Sequence, residues 1–206
     1  MKDRPGQSMI EAIVAVAIIG IALVGFLSQS TYNYLAVSES FTRNIASNLA
    51  REGIEVVRNM RDTNWLKGCP NPEKPAECFV WNSGFSQNME YSAVAILDVE
   101  AKKWSLSFVN KDFDVCVADQ TCLLYKDQSG ILTAMAAGAE PSIYYRQLEL
   151  RPICSDELAC GGDGVCQSGE KCPGEQIGIE VAVRVGWKKG EVLRNEMAVE
   201  RLYNWK

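Results

Sequence analysis

Eight cysteines and no histidine set the chemistry open to this chain. Cys69, Cys78, Cys116, Cys122, Cys154, Cys160, Cys166 and Cys172 are even in number, and all follow an apolar N-terminal stretch. Paired thiols downstream of an export-competent segment predict disulfides formed in an oxidising compartment. Zinc–thiolate ligation is the competing chemistry, but no spacing is C-x₂-C and no imidazole is available. Catalysis without histidine would need a carboxylate pair, a lysine or a Ser–Lys dyad. No nucleophile elbow, phosphate loop or dinucleotide fingerprint occurs, so the chain reads as a non-enzyme. The four cysteines of residues 154–172 recur every six residues with glycines between them, the pattern of a disulfide-tied loop. Sequence leaves their three pairings open. Asp156, Asp163 and Glu170, with Glu157, put carboxylates in that loop that Ca²⁺ can use. EF-hand spacing is missing, and a solvated acidic loop is the default.

One further carboxylate stands apart. Glu11 lies near the start of a run that carries no other charge until Glu39. A lone ionised side chain at the centre of a bilayer costs about 3 kcal/mol on insertion scales, so it calls for a partner. Lys2 and Arg4 precede the run and predict a cytoplasmic N-terminus with all that follows outside. From about residue 9 to 29 the chain is long and apolar enough to cross a membrane. Snorkelling to the headgroups is the plain alternative for Glu11. The net charge of −5 and the lack of Lys/Arg runs argue against nucleic-acid binding.

The elements that position these groups follow from periodicity. No proline occurs between Pro5 and Pro70. Val37, Phe41, Ile45, Leu49, Val56, Val57 and Met60 recur at three- and four-residue steps, which predicts one helix from about Ser8 to Asp62. Such a helix would be roughly 80 Å long. Residues 69–78 are proline-rich and bracketed by two cysteines, a surface loop. Strands are expected over 89–97, 103–109 and 144–152, with a short Cys116–Cys122 loop and an irregular stretch at 128–141. Ile177, Ile179, Val181, Val183, Val185 and Trp187 alternate as a half-buried strand. Lys188-Lys189-Gly190 turns it into a partner presenting Leu193, Met197, Val199, Tyr203 and Trp205 to one face. That hairpin needs a lid, and the outer half of the long helix offers a matching stripe.

Gly6 followed by Gln7-Ser8-Met9-Ile10-Glu11 resembles the prepilin cleavage and methylation motif of type IV pilins and type II secretion pseudopilins. The resemblance covers about sixty residues, includes Gly20, and extends to Leu49–Asp62. Gln7 replaces the usual phenylalanine or methionine, and Ser28 stands where major pilins often carry proline, which leans towards a minor pilin or pseudopilin. The family implies a leader of residues 1–6 removed by a prepilin peptidase after Gly6 and N-methylation of Gln7. It also implies a helix over 7–63 and an extracytoplasmic α+β domain over 64–206. Glu11 would set subunit register by pairing with the Gln7 amine of a neighbouring subunit. Expected partners are other pilins, the peptidase, the inner-membrane assembly platform and the membrane itself; the destination is an extracellular filament. No cofactor is implied, apart from the Ca²⁺ considered above. The alternative is a membrane-tethered, cysteine-rich binding or adhesion module that does not polymerise.

Overall fold

A computed structural model describes residues 5–69, 80–86, 90–98, 103–135, 138–156, 158–167 and 169–204, with side chains from residue 9 onward. Cys78, Glu157 and Trp205 lie outside the described residues. The chain divides into two units, Met1–Asn44 and Ile45–Lys206. The fold class is α+β, as the alternation of helical and strand periods predicts.

The first unit consists of helix α1, Pro5–Lys67, up to Asn44. Its large apolar side chains, from Met9 and Ile10 through Phe26 and Leu27, are all exposed. Exposed aliphatic residues on every side of a helix belong in an apolar solvent. This is one helix long and apolar enough to cross a membrane, and none of that span is buried.

In the second unit α1 is amphipathic. Ala46, Leu49, Ala50, Ile54, Val56 and Val57 are buried, with Met60 and Trp65 packed against the same core. Val37 and Phe41, expected on this stripe, are exposed and belong to the first unit. The buried stripe therefore starts at Ala46. Gly53 allows close approach to the sheet: a Cβ there would stand 2.8 Å from a methyl group of Val183. The helix closes at Lys67, five residues beyond the expected end. Gly68, at φ +49, donates its N–H to the Asn64 carbonyl at 3.1 Å, a left-handed residue just past a helix end.

Among the described residues, seven antiparallel strands form one sheet. They are β1 (Ser92–Asp98), β2 (Lys103–Phe108), β3 (Leu123–Lys126), β4 (Leu132–Thr133), β5 (Glu140–Cys154), β6 (Gln176–Lys189) and β7 (Val192–Tyr203). The pivot is β5, which pairs with β6 along one edge and with both β1 and β3 along the other. Register sets the faces, because directly opposed residues of antiparallel strands share a side. Tyr144↔Trp187, Leu148↔Val183 and Leu150↔Val181 turn one way, into the cluster that contains Leu49, Ile54 and Val57.

The opposite face of the sheet is also covered in part. Helix α2 (Phe113–Ala118), within a stretch expected to be only a short cysteine loop, packs with Leu123 and Tyr145 into a second cluster. Phe113 lies over Gly186, where a Cβ would come within 2.8 Å of its ring. Most of β6 is thus buried on both faces rather than one.

Strand β7 corrects the expected hairpin. Val183↔Ala198 and Ile179↔Leu202 put Ala198 and Leu202 on the helix side. Met197, Val199 and Tyr203 point the other way and are 53, 48 and 45% exposed. The physical reason is register: Ala198 and Leu202 lie opposite Val183 and Ile179, whose side chains are committed to the core, and Glu200 on the same face meets Arg58 of α1.

Candidate assembly segment and cysteine-rich loop

Gly6 and Gln7 fall in the opening turns of α1, and Glu11 follows one turn on. Glu11 is exposed and shares its flank of the helix with Val14, Ala15 and Ile18. Among the described residues it has no hydrogen-bond or ion-pair partner. A carboxylate on an apolar surface with no intramolecular partner is incomplete chemistry, and a cation must come from elsewhere if the segment enters hydrocarbon.

The second unit handles its charges internally. Glu180, almost fully buried on β6, accepts from Arg151 Nη2 at 2.8 Å and from Arg201 Nε at 2.9 Å. Arg58 bridges Glu200 on β7 and Glu55 on its own helix. The hydrogen bond to Glu200 is the main cause of its guanidinium being held above the usual value, and burial opposes it. Arg61 pairs with Asp62 at 2.9 Å and reaches the Tyr203 carbonyl at 3.5 Å. These contacts fix β7 under the helix.

Arg146 was not singled out from the sequence, although period two puts it on the apolar face of its strand with Tyr144, Leu148 and Leu150, and that break in the pattern is the signal that could have found it. It is 0% exposed. Its Nη1 donates to Glu52 at 3.0 Å and to the Leu49 carbonyl at 3.4 Å, while Nε and Nη2 have no partner among the described residues. Removing Glu52 would leave a buried, uncompensated cation, the costlier way to break such a pair.

Between β5 and β6 the cysteine-rich loop folds as two nested rings. Cys154 pairs with Cys172, and Cys160 with Cys166. The two disulfides touch, with Cys154 and Cys166 sulfurs 3.3 Å apart, and the sulfurs form the loop's own small core around Ala159. Backbone bonds tie the loop to the strand end: Cys166 N–H to Pro152 O at 3.0 Å and Cys154 N–H to Gly164 O at 2.8 Å. The Tyr91 hydroxyl donates to the Glu170 carbonyl at 2.6 Å. Burial, together with the nearby Glu170 charge, pushes that phenol up from its ordinary value. Elsewhere Cys116 pairs with Cys122, and Cys69 is disulfide-bonded.

The loop carboxylates are engaged locally. Asp156 accepts from Leu158 N–H at 2.9 Å, Asp163 from Val165 N–H at 3.0 Å, and Glu170 from Gln167 N–H at 2.8 Å. Each holds its own turn. Among the described residues, the groups that converge closely enough for a metal are Cys154 with Cys166 and Cys172, and Cys160 with Cys166 and Glu170. The structure does not bring Asp156, Asp163 and Glu170 together as one such group. The sulfurs are consumed by disulfides, so the donor set fits covalent cross-links better than a cation.

No protein-family model, curated protein or solved structure matches the chain.

Proposed function

We propose that this chain is a pilin-like filament subunit, of the minor pilin or pseudopilin kind, anchored by the first part of α1 and presenting the α+β unit outside the cytoplasmic membrane. The observation that carries this is the exposed, unpartnered Glu11 on an apolar helix, five residues after Gly6. Cleavage after Gly6 leaves an amine on Gln7. A small residue at that position lets a peptidase approach the backbone closely. The Gln7 amine of one subunit then compensates Glu11 of the next through a charge-assisted hydrogen bond, and the axial offset of that pair propagates as a helical stagger. The glycine-rich loop of 154–172, held by nested disulfides, is a bulky attachment for a closely packed fibre and supports low-copy incorporation.

Mass spectrometry of the mature N-terminus tests the reading. A chain that begins at methylated Gln7 is the expected result. An intact leader, or a cut beyond Leu27, overturns it.

A further inference from the structure

Between Glu11 and Glu39 the first unit has no charged residue. Those two are 28 residues apart, roughly 42 Å along a helix and well beyond a hydrocarbon core of about 30 Å. Charge therefore leaves the far boundary of the span undefined, and something uncharged has to set it. The aliphatic run from Ala12 gives way after Leu27, and residues 28–34 are hydroxyls, amides and two tyrosines.

Several polar groups of this stretch are satisfied within the helix. Thr31 Oγ1 donates to the Leu27 carbonyl at 3.0 Å, and Gln29 Nε2 donates to Asn33 Oδ1 at 3.1 Å. What projects furthest is aromatic: Tyr32 and Tyr34 are 71 and 74% exposed. Two residues apart, they stand about 200° from each other around the axis. A seam for a partner helix would repeat every three or four residues on one face, whereas tyrosines on opposite flanks form a girdle. A phenol is apolar in its ring and polar at its tip, which suits the headgroup layer of a bilayer.

The length agrees with that setting. Tyr32 is 21 residues beyond Glu11, roughly 32 Å along the helix, which matches the hydrocarbon thickness. We infer that Tyr32 and Tyr34 anchor α1 in the headgroup layer on the far side of the bilayer, and thereby hold Glu11 at the near boundary rather than in the hydrocarbon. The membrane-resident chain then keeps this carboxylate hydrated. The cost of burying it arises only when the segment leaves the bilayer to pack against other protein. This placement rests on the membrane-anchored part of the proposed function, and on neither cleavage nor polymerisation.

Nitroxide depth measurements test this, on the full-length chain in vesicles of phosphatidylethanolamine and phosphatidylglycerol. Ala12→Cys, Ala22→Cys and Thr31→Cys each add one thiol for the label, and the parent, whose described cysteines are all disulfide-bonded, is the blank. The label at position 22 should be deepest, with those at 12 and 31 at matching shallow depths. Tyr32→Ser with Tyr34→Ser should re-centre the span on the aliphatic run Ala12–Leu27, about two residues nearer the N-terminus. That shift of ~3 Å sinks the label at 12 and raises the one at 31. Tyr32→Trp with Tyr34→Trp should keep the parent profile. A label at 12 as deep as that at 22, a label at 31 in the hydrocarbon interior, or a profile unmoved by the serine pair overturns the anchor while leaving the span in place. A parent chain that fails to float with the vesicles overturns the membrane-anchored reading as well.

Discussion

Glu11 and Glu180 are both carboxylates surrounded by apolar sequence, yet among the described residues only Glu180 has partners. Glu180 sits between two arginines at hydrogen-bond distance, and the strands that carry all three are paired residue by residue. Among the described residues, the neighbours of Glu11 on its side of the helix are Val14, Ala15 and Ile18. Among its described residues, the second unit's core and the ion pairs of Glu180, Glu200 and Glu52 close within the unit. On the filament reading proposed above, the first unit meets lipid with its aliphatic side chains and a neighbouring subunit's cation with its acid. An unfinished site can be completed by a copy or a homologous partner.

The largest effect that would break this contrast is on Glu11. Glu11→Ala should reduce recovery of the chain in sheared filaments to background while the thermal midpoint of the second unit stays unchanged. Normal incorporation would mean that the carboxylate is not the assembly group. Next is the buried pair. Glu52→Ala, by leaving Arg146 unpaired, should destabilise the second unit by about 3 kcal/mol, whereas Arg146→Met should cost far less or nothing. Denaturant titration of both variants checks the order, and a costlier Arg146→Met would show that the ion pair itself is the source of stability.

Comparable in size is the outer ring of the cysteine loop. Cys154→Ser with Cys172→Ser should cost about 3 kcal/mol, the chain-entropy value for a loop of this length. Hydrogen exchange should localise the loss to residues 154–172 and the end of β5. Smallest is a pH effect at Asp119, whose carboxyl is pulled down to about 2, chiefly by the Lys111 ammonium and then by the Thr121 hydroxyl. Its folded value lies below the unfolded one, so its contribution is present above about pH 4 and is lost as pH falls towards 2. Asp119→Asn should flatten that part of the stability profile slightly, as expected for a fully exposed group. An unchanged acid limb would show that the pair contributes nothing in solution.

How much of this could be read beforehand depends on where the information sits along the chain. The apolar span, the lone acid and strand β6 are local patterns and appear in the structure at the expected places, although β6 is buried on both faces rather than one. Strand β7 was legible as a strand but not in its facing. Met197, Val199 and Tyr203 are the more apolar set, yet the register opposite β6 turns Ala198 and Leu202 inward. Helix α2 is only Phe113–Ala118, too short for periodicity to announce it. Arg146 breaks the apolar face of its strand in the sequence, but its partner Glu52, like the meaning of Gly53, depends on what lies across the core.

The sequence by itself determined the apolar helix, the position of its acid, the even set of thiols and the alternating strands, since each is written in residues close together along the chain. The tertiary structure decided how the cysteines of residues 154–172 pair, which face of β7 meets the helix, and that Arg146 meets Glu52 across the core. Those outcomes depend on distances between residues far apart in sequence, and such distances exist only once the sheet register and the helix packing are set.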